Sequence, residues 1–196
     1  GQVLIGKREN AKMYPASITK VLTCALVLCD HSPDERVRVG EEVYDILPES
    51  TYAGLMPGEE MTVRDLLYAA MLPSANDAAN ALAVFEDGSL ADFAGRMNEK
   101  AREAGAEQSH FVNPSGLPDK DHYTTAADFA RITAWALTVP DFVTYFGAPE
   151  YTMSPTNLQP AARNWGTYDC LTVESAFTYE GAIGGKTGLT DDAENT

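Results

Sequence analysis

The sequence predicts an α/β fold whose sheet is built from the two chain ends around a helical centre. Three observations carry this. Apolar residues recur at helical spacing through the middle of the chain, with start and stop signals between the runs. "GQVLI" at the start, and "APEYTMSPT" and "GAIGGKTGLT" towards the end, read instead as extended. The 196 residues are 44% hydrophobic and 22% charged, enough for a real core in one domain or two small lobes.

"GQVLI" is the first strand candidate, with Gly1 fit for a turn. The first helix should run from about Ser17 to Cys29, entered through Pro15, and its unbroken apolar character marks it for burial. "RVRVGEEVY" alternates and reads as a short surface strand. "MTVRDLLYAAM" opens with a T-x-x-D cap and puts Val63, Leu66, Leu67, Ala70 and Met71 on one face. After the break "LPSAN" come "DAANALAVFED" and a helix capped by Ser89, with Leu90, Phe93, Ala94 and Met97 inward and Gly105 as its stop. "SHFVNPSGLPDKDHY" is rich in turn formers and reads as a loop. Thr125 with Asp128 opens the next helix, Pro140 ends it, and "DFVTYF" adds a turn or two.

Composition and motifs exclude several chemistries. Fourteen basic against 29 acidic residues give a net charge of −15, which argues against nucleic acid as a partner and for a solvated acidic surface. Cys24, Cys29 and Cys170 form no disulfide framework; the first two read as small core residues. There is no G-x-S-x-G, no H-E-x-x-H, and "GAIGGKTG" lacks P-loop spacing. "PDKDHY" gathers Asp119, Asp121 and His122, which read as a hydrated loop rather than a metal site. The longest apolar run, Val21 to Cys29, is too short to span a bilayer, and no signal peptide opens the chain.

What remains is Lys20, the one charge between Lys12 and Asp30. Residues three apart on a helix share a face, so Lys20 can reach the Ser17 hydroxyl. An ordinary lysine is too basic to serve as a base at neutral pH, but burial or a second cation lowers its pKa. The neutral amine could then take the serine proton and leave a nucleophilic oxygen. Ser17 also sits at a helix N-terminus, where unpaired N–H groups favour a developing oxyanion. "PSAND" adds Ser74 and Asn76 between two helices, and "GGKTG" adds Lys186, Thr187 and Gly188 on a strand. S-x-x-K, S-x-N and K-T-G in that order form a known set in penicillin-binding proteins and class A β-lactamases.

"YPASITKVLT", "MTVRDLLYAAMLPSANDAANALA", "HFVNPSGLP" with "YTTAADFARI", and "AIGGKTGLTDDA" together resemble the D-alanyl-D-alanine carboxypeptidases, low-molecular-mass penicillin-binding proteins of serine peptidase family S11. The resemblance implies a β-lactamase/transpeptidase-like fold with an antiparallel sheet, incomplete in this chain. It implies that residues 1–196 are a single catalytic domain truncated at both ends, since family members carry a strand before "GQVL" and further strands and a helix after "KTGLT". It implies removal of the terminal D-alanine from peptidoglycan stem pentapeptides, covalent binding of β-lactams, no cofactor, no metal, and an extracytoplasmic place of action, with membrane anchoring through segments absent here. By position, Ser17 would be the nucleophile, Lys20 its base and Ser74 a proton relay. Asn76 would hold a substrate amide, and Lys186, Thr187 and Gly188 would bind substrate. The backbone N–H groups of Ser17 and Leu189 would form the oxyanion hole. "NPSGLP" would be a structural loop near the site.

Ala75 departs from the glycine frequent in the family's S-x-N motif. A class A β-lactamase is the alternative enzyme; it usually has Asp at that position and needs a glutamate loop that finds no match here. A non-catalytic penicillin-binding sensor or scaffold is the alternative outside enzymes, and the intact polar positions argue against it.

Overall fold

The computed structural model of the protein describes residues 5–169, 171–172, 175–190 and 194–195. A helix apolar on every side belongs in the interior. That is where α1 (Lys20–Asp30) lies, with Lys20 to Leu28 all buried. Around it pack α2 (Val63–Met71), α3 (Asn76–Asp87), α4 (Leu90–Glu103), α5 (Ala126–Ala136) and α6 (Phe142–Phe146). Full burial of a side chain such as Leu22, Leu26 or Val27 stabilises by about 1.5–3 kcal/mol, so this helix is the fixed axis of the molecule.

The surrounding helices start where their caps are. Thr62 and Asp65 form a reciprocal capping box at α2, Ser89 accepts from the Asp92 N–H at α4, and Thr125 accepts from the Asp128 N–H at α5. The inward faces follow the periodicity, although Leu90 is only half-buried. Gly105 ends α4 with a φ of +80°, a conformation cheap only for glycine.

Strands form three two-stranded antiparallel sheets among the described residues. β1 (Arg36–Arg38) pairs with β2 (Glu60–Thr62), β3 (Glu150–Met153) with β4 (Arg163–Gly166), and β5 (Leu189–Thr190) with β6 (Glu194–Asn195). The β3–β4 hairpin is tied inward by Arg163, whose guanidinium lies 2.9 Å from the fully buried Glu59 carboxylate.

Several expectations change. Of the "GQVLI" strand, residues 1–4 lie outside the described residues. Helix 1 does not begin at Ser17: a 3₁₀ turn, Ala16–Thr19, precedes it. "RVRVGEEVY" is a strand only over Arg36–Arg38, because the Glu42 carboxylate takes the Gly40 N–H and a 3₁₀ turn, Glu41–Tyr44, follows. Within that strand the expected alternation holds, with Arg36 and Arg38 exposed at the surface and Val37 buried. Lys186, Thr187 and Gly188 lie in the loop before β5 rather than on a strand. Cys24 is buried but Cys29 is exposed: five residues apart on a helix, they are about 140° apart around its axis. Cys170 lies outside the described residues.

Candidate active site

The 3₁₀ turn decides how Ser17 meets Lys20. In a 3₁₀ helix, side chains at i and i+3 eclipse, whereas an α-helix would leave them about 60° apart. Pro15 precedes the turn, and Ala16 holds it with a φ of +49°, a strained value for a residue with a Cβ. Gly116 (φ +86°) packs on this turn so closely that a Cβ there would stand 1.8 Å from the Ala16 carbonyl oxygen. Ser17 is half-buried and Lys20 wholly buried.

Lys20 Nζ lies 2.8 Å from Ser17 Oγ, 2.7 Å from Asn76 Oδ1 and 2.7 Å from the Ser115 carbonyl oxygen. Burial pushes its pKa well below the ordinary lysine value, the charge of Lys186 pushes it further the same way, and Asp77 pulls weakly back. Among the described residues no carboxylate pairs with Lys20. A neutral amine has two N–H donors and one lone pair. Two of its three neighbours are carbonyl-type oxygens that can only accept, so the lone pair is left facing the serine hydroxyl.

A second pair stands across the S-x-N break. Ser74 has a left-handed backbone (φ +62°), held by the Thr51 hydroxyl donating to its carbonyl at 2.7 Å. Its Oγ accepts from Lys186 Nζ at 2.9 Å, and Lys186 also donates to the Thr187 carbonyl at 2.7 Å. Desolvation lowers the Lys186 pKa to about 8. Asn76 opens α3, and its Oδ1 bond to Lys20 leaves the amide Nδ2 for the cleft that Asn76 lines. Asp77, next along, accepts from the Ala53 and Leu55 N–H groups and so fixes the cleft wall that carries Thr51.

These residues share a cleft of ≈ 550 Å³ lined by Ser17, Ser74, Asn76, Thr187, Gly188 and Leu189, with Glu49, Ser50, Thr51, Ser115, Gly116, Leu117, Tyr168 and Thr190. Lys20 and Lys186 reach it through their serines. Leu189 is 70% exposed at the start of β5, and Ser17 carries its N–H in the first turn of the 3₁₀ segment, where no intrahelical partner exists. Among the described residues no group of acidic, histidine or cysteine side chains could hold a metal ion.

Sequence reasoning missed Glu49, Ser50, Thr51 and Tyr168, which line the cleft from loops without a motif. It placed "NPSGLP" near the site but not the Ser115 carbonyl on Lys20, because a backbone acceptor has no residue signature. It also misread His122. Asp119 and Asp121 are exposed as expected of a hydrated loop, but His122 is 2% exposed and bonded to Thr19, between Ser17 and Lys20.

A sequence model of the peptidase S11 family, described as D-alanyl-D-alanine carboxypeptidase, matches residues 1–196. The D-alanyl-D-alanine carboxypeptidase DacB2 of Mycobacterium tuberculosis is 37% identical over 198 residues, covering 100% of this chain and 65% of that protein. DacF of Bacillus subtilis is 32% identical over 199 residues, covering 99% of this chain and 49% of that protein. The chain thus spans about half to two-thirds of the length of these relatives. The crystal structure of the Streptomyces K15 DD-transpeptidase superposes with a TM-score of 0.89 at 29% identity, covering 100% of this chain and 78% of that one. With fold, motif order and cleft in agreement, the chain belongs to the peptidase S11 family of D-alanyl-D-alanine carboxypeptidases.

Proposed function

We propose that this chain carries the catalytic site of a serine-type D-Ala-D-Ala carboxypeptidase acting on peptidoglycan stem peptides. The observation that carries the reading is Lys20: wholly buried, unpaired by any carboxylate among the described residues, with its lone pair directed at Ser17 Oγ. In this reading Ser17 Oγ attacks the carbonyl carbon of the penultimate D-alanine while its proton passes to Lys20 Nζ. The oxyanion is held by the N–H groups of Ser17 and Leu189. As the C–N bond breaks, the proton held on Lys20 passes by way of the Ser74 hydroxyl, itself hydrogen-bonded to Lys186, to the leaving D-alanine nitrogen, and Lys20 is neutral again. Water then cleaves the Ser17 ester, restoring the hydroxyl and releasing the shortened peptide.

Asn76 Nδ2 would hold a substrate carbonyl, and Thr187 and Gly188 the terminal carboxylate or the extended peptide backbone. The Lys186 charge attracts that carboxylate and opposes protonation of Lys20. Peptidoglycan places the work outside the cytoplasmic membrane. Among the described residues no helix is long and apolar enough to cross a membrane. Intact mass after exposure to a penicillin tests the reading. The mass should rise by one drug, with the adduct mapped to Ser17, and a D-Ala-D-Ala peptide should release D-alanine. An adduct on another residue contradicts it.

A further inference from the structure

His122 lies buried beside the Ser17–Lys20 turn but does not line the cleft. Its Nδ1 lies 3.1 Å from the Val112 nitrogen and its Nε2 2.9 Å from Oγ1 of Thr19. A backbone N–H can only donate, so Nδ1 offers it a lone pair and the ring proton sits on Nε2. Burial keeps the ring neutral, its pKa lowered to about 4. Nε2–H therefore donates to the Thr19 hydroxyl, the only polar side chain between Ser17 and Lys20.

The same segment makes two further bonds to this region. Its Pro114 carbonyl accepts from the Thr23 hydroxyl at 2.7 Å, and its Ser115 carbonyl accepts from Lys20 at 2.7 Å. An antiparallel bridge between His110 and Tyr123 closes the segment. The 3₁₀ turn needs such a tie. Relaxation to α-helix would relieve Ala16 but swing Ser17 about 60° off the Lys20 direction.

We propose that His122 is a positioning residue for the reaction, holding the Ser17–Lys20 turn through Thr19 in register with the Ser115 carbonyl. The role rests on the reading of Ser17 and Lys20 given above. His122 touches no reacting atom; it keeps the nucleophile and its base eclipsed.

The test uses the full chain and a chromogenic β-lactam, with acylation resolved into a pre-covalent dissociation constant and an acylation rate constant. Thr19→Val keeps the shape and removes the acceptor, His122→Leu removes the donor, and Thr19→Ser restores the hydroxyl. A misplaced nucleophile costs rate, so Thr19→Val and His122→Leu should each acylate about 10- to 100-fold more slowly. Their pre-covalent dissociation constants should stay within about twofold of the unmodified protein, the split expected when only the reacting geometry is disturbed. The double variant should be no slower than the slower single, because both remove one interaction. Thr19→Ser should recover the rate. ¹⁵N NMR of the unmodified protein should show His122 as the Nε2–H tautomer, a result independent of turnover and of whether His122→Leu folds. An Nδ1–H tautomer, or a Thr19→Val protein acylating at the unmodified rate, overturns the proposal alone. An unmodified protein that takes no β-lactam overturns the reading of Ser17 and this role with it.

Discussion

Ser17–Lys20 and Ser74–Lys186 are two serine–lysine pairs at one cleft, 2.8 Å and 2.9 Å long. Distance does not distinguish them, but their surroundings do. Lys20 opens the central helix, has no exposed surface, and spends its other contacts on two oxygens that can only accept. Lys186 sits on a loop, half-buried, with its neighbour's carbonyl as second partner. Desolvation disfavours the ammonium form of both, far more for Lys20, whose pKa is pushed well down, than for Lys186 at about 8. Lys20 is therefore the lysine that gives up its proton more readily, while Lys186 stays mostly an ammonium at neutral pH. Geometry brings the serines to the cleft; burial decides which lysine can accept a proton.

Removing Lys20 should have the largest effect. Lys20→Met should fold, since methionine suits a buried helix position, yet acylate about 10²–10⁴-fold more slowly, the usual range for loss of a general base. Near-normal acylation would make Lys20 a merely buried lysine and dissolve the contrast. Gly116→Ala disturbs the first pair while leaving the second untouched. Its left-handed backbone alone costs about 1–3 kcal/mol, and the new Cβ presses on Ala16 beside Ser17. Thermal melting should show the loss, and acylation should slow because the turn that carries Ser17 is displaced.

Lys186→Met should slow acylation about tenfold, the equivalent of 1.4 kcal/mol, and its pH profile is the more telling readout. The Lys186 charge lowers the Lys20 pKa, so removing it raises that pKa and moves the acid limb of the profile to higher pH. In the unmodified protein the rate should decline as pH rises through about 8, where Lys186 loses its proton. An acid limb that stays in place in the variant would show the two pairs to be electrically independent. The smallest effect is expected from Thr62→Ala, which opens the α2 capping box and touches neither pair. Stability should drop by about 1 kcal/mol with acylation unchanged.

The sequence disclosed the parts of the site that depend on local spacing. Ser17 and Lys20 are three apart, Ser74 and Asn76 two apart, and each set is recognisable before folding. The central helix was equally legible, because an apolar run from Val21 to Leu28 has no other place than the core. Caps at Thr62, Ser89 and Thr125 were readable for the same reason. Contacts across long separations were not. The Ser115 carbonyl reaches Lys20 from 95 residues away and His122 reaches Thr19 from 103, and no residue type announces either bond. His122 was hidden further by its neighbours, since Asp119 and Asp121 give the segment the look of a solvated loop while the ring turns inward. The 3₁₀ entry and the loop position of Lys186 depend on close backbone packing, Gly116 against Ala16 among it, which no periodicity records.

The contrast between the two lysines can be read directly. Selective ¹³Cε labelling of lysine, with a pH titration followed by NMR and the signals assigned through Lys20→Met and Lys186→Met, reports the protonation state of each amine. Lys20 should lose its proton at a lower pH than Lys186, which should titrate with a midpoint at about 8. A Lys20 signal that remains that of an ammonium above the Lys186 midpoint would contradict its assignment as the base.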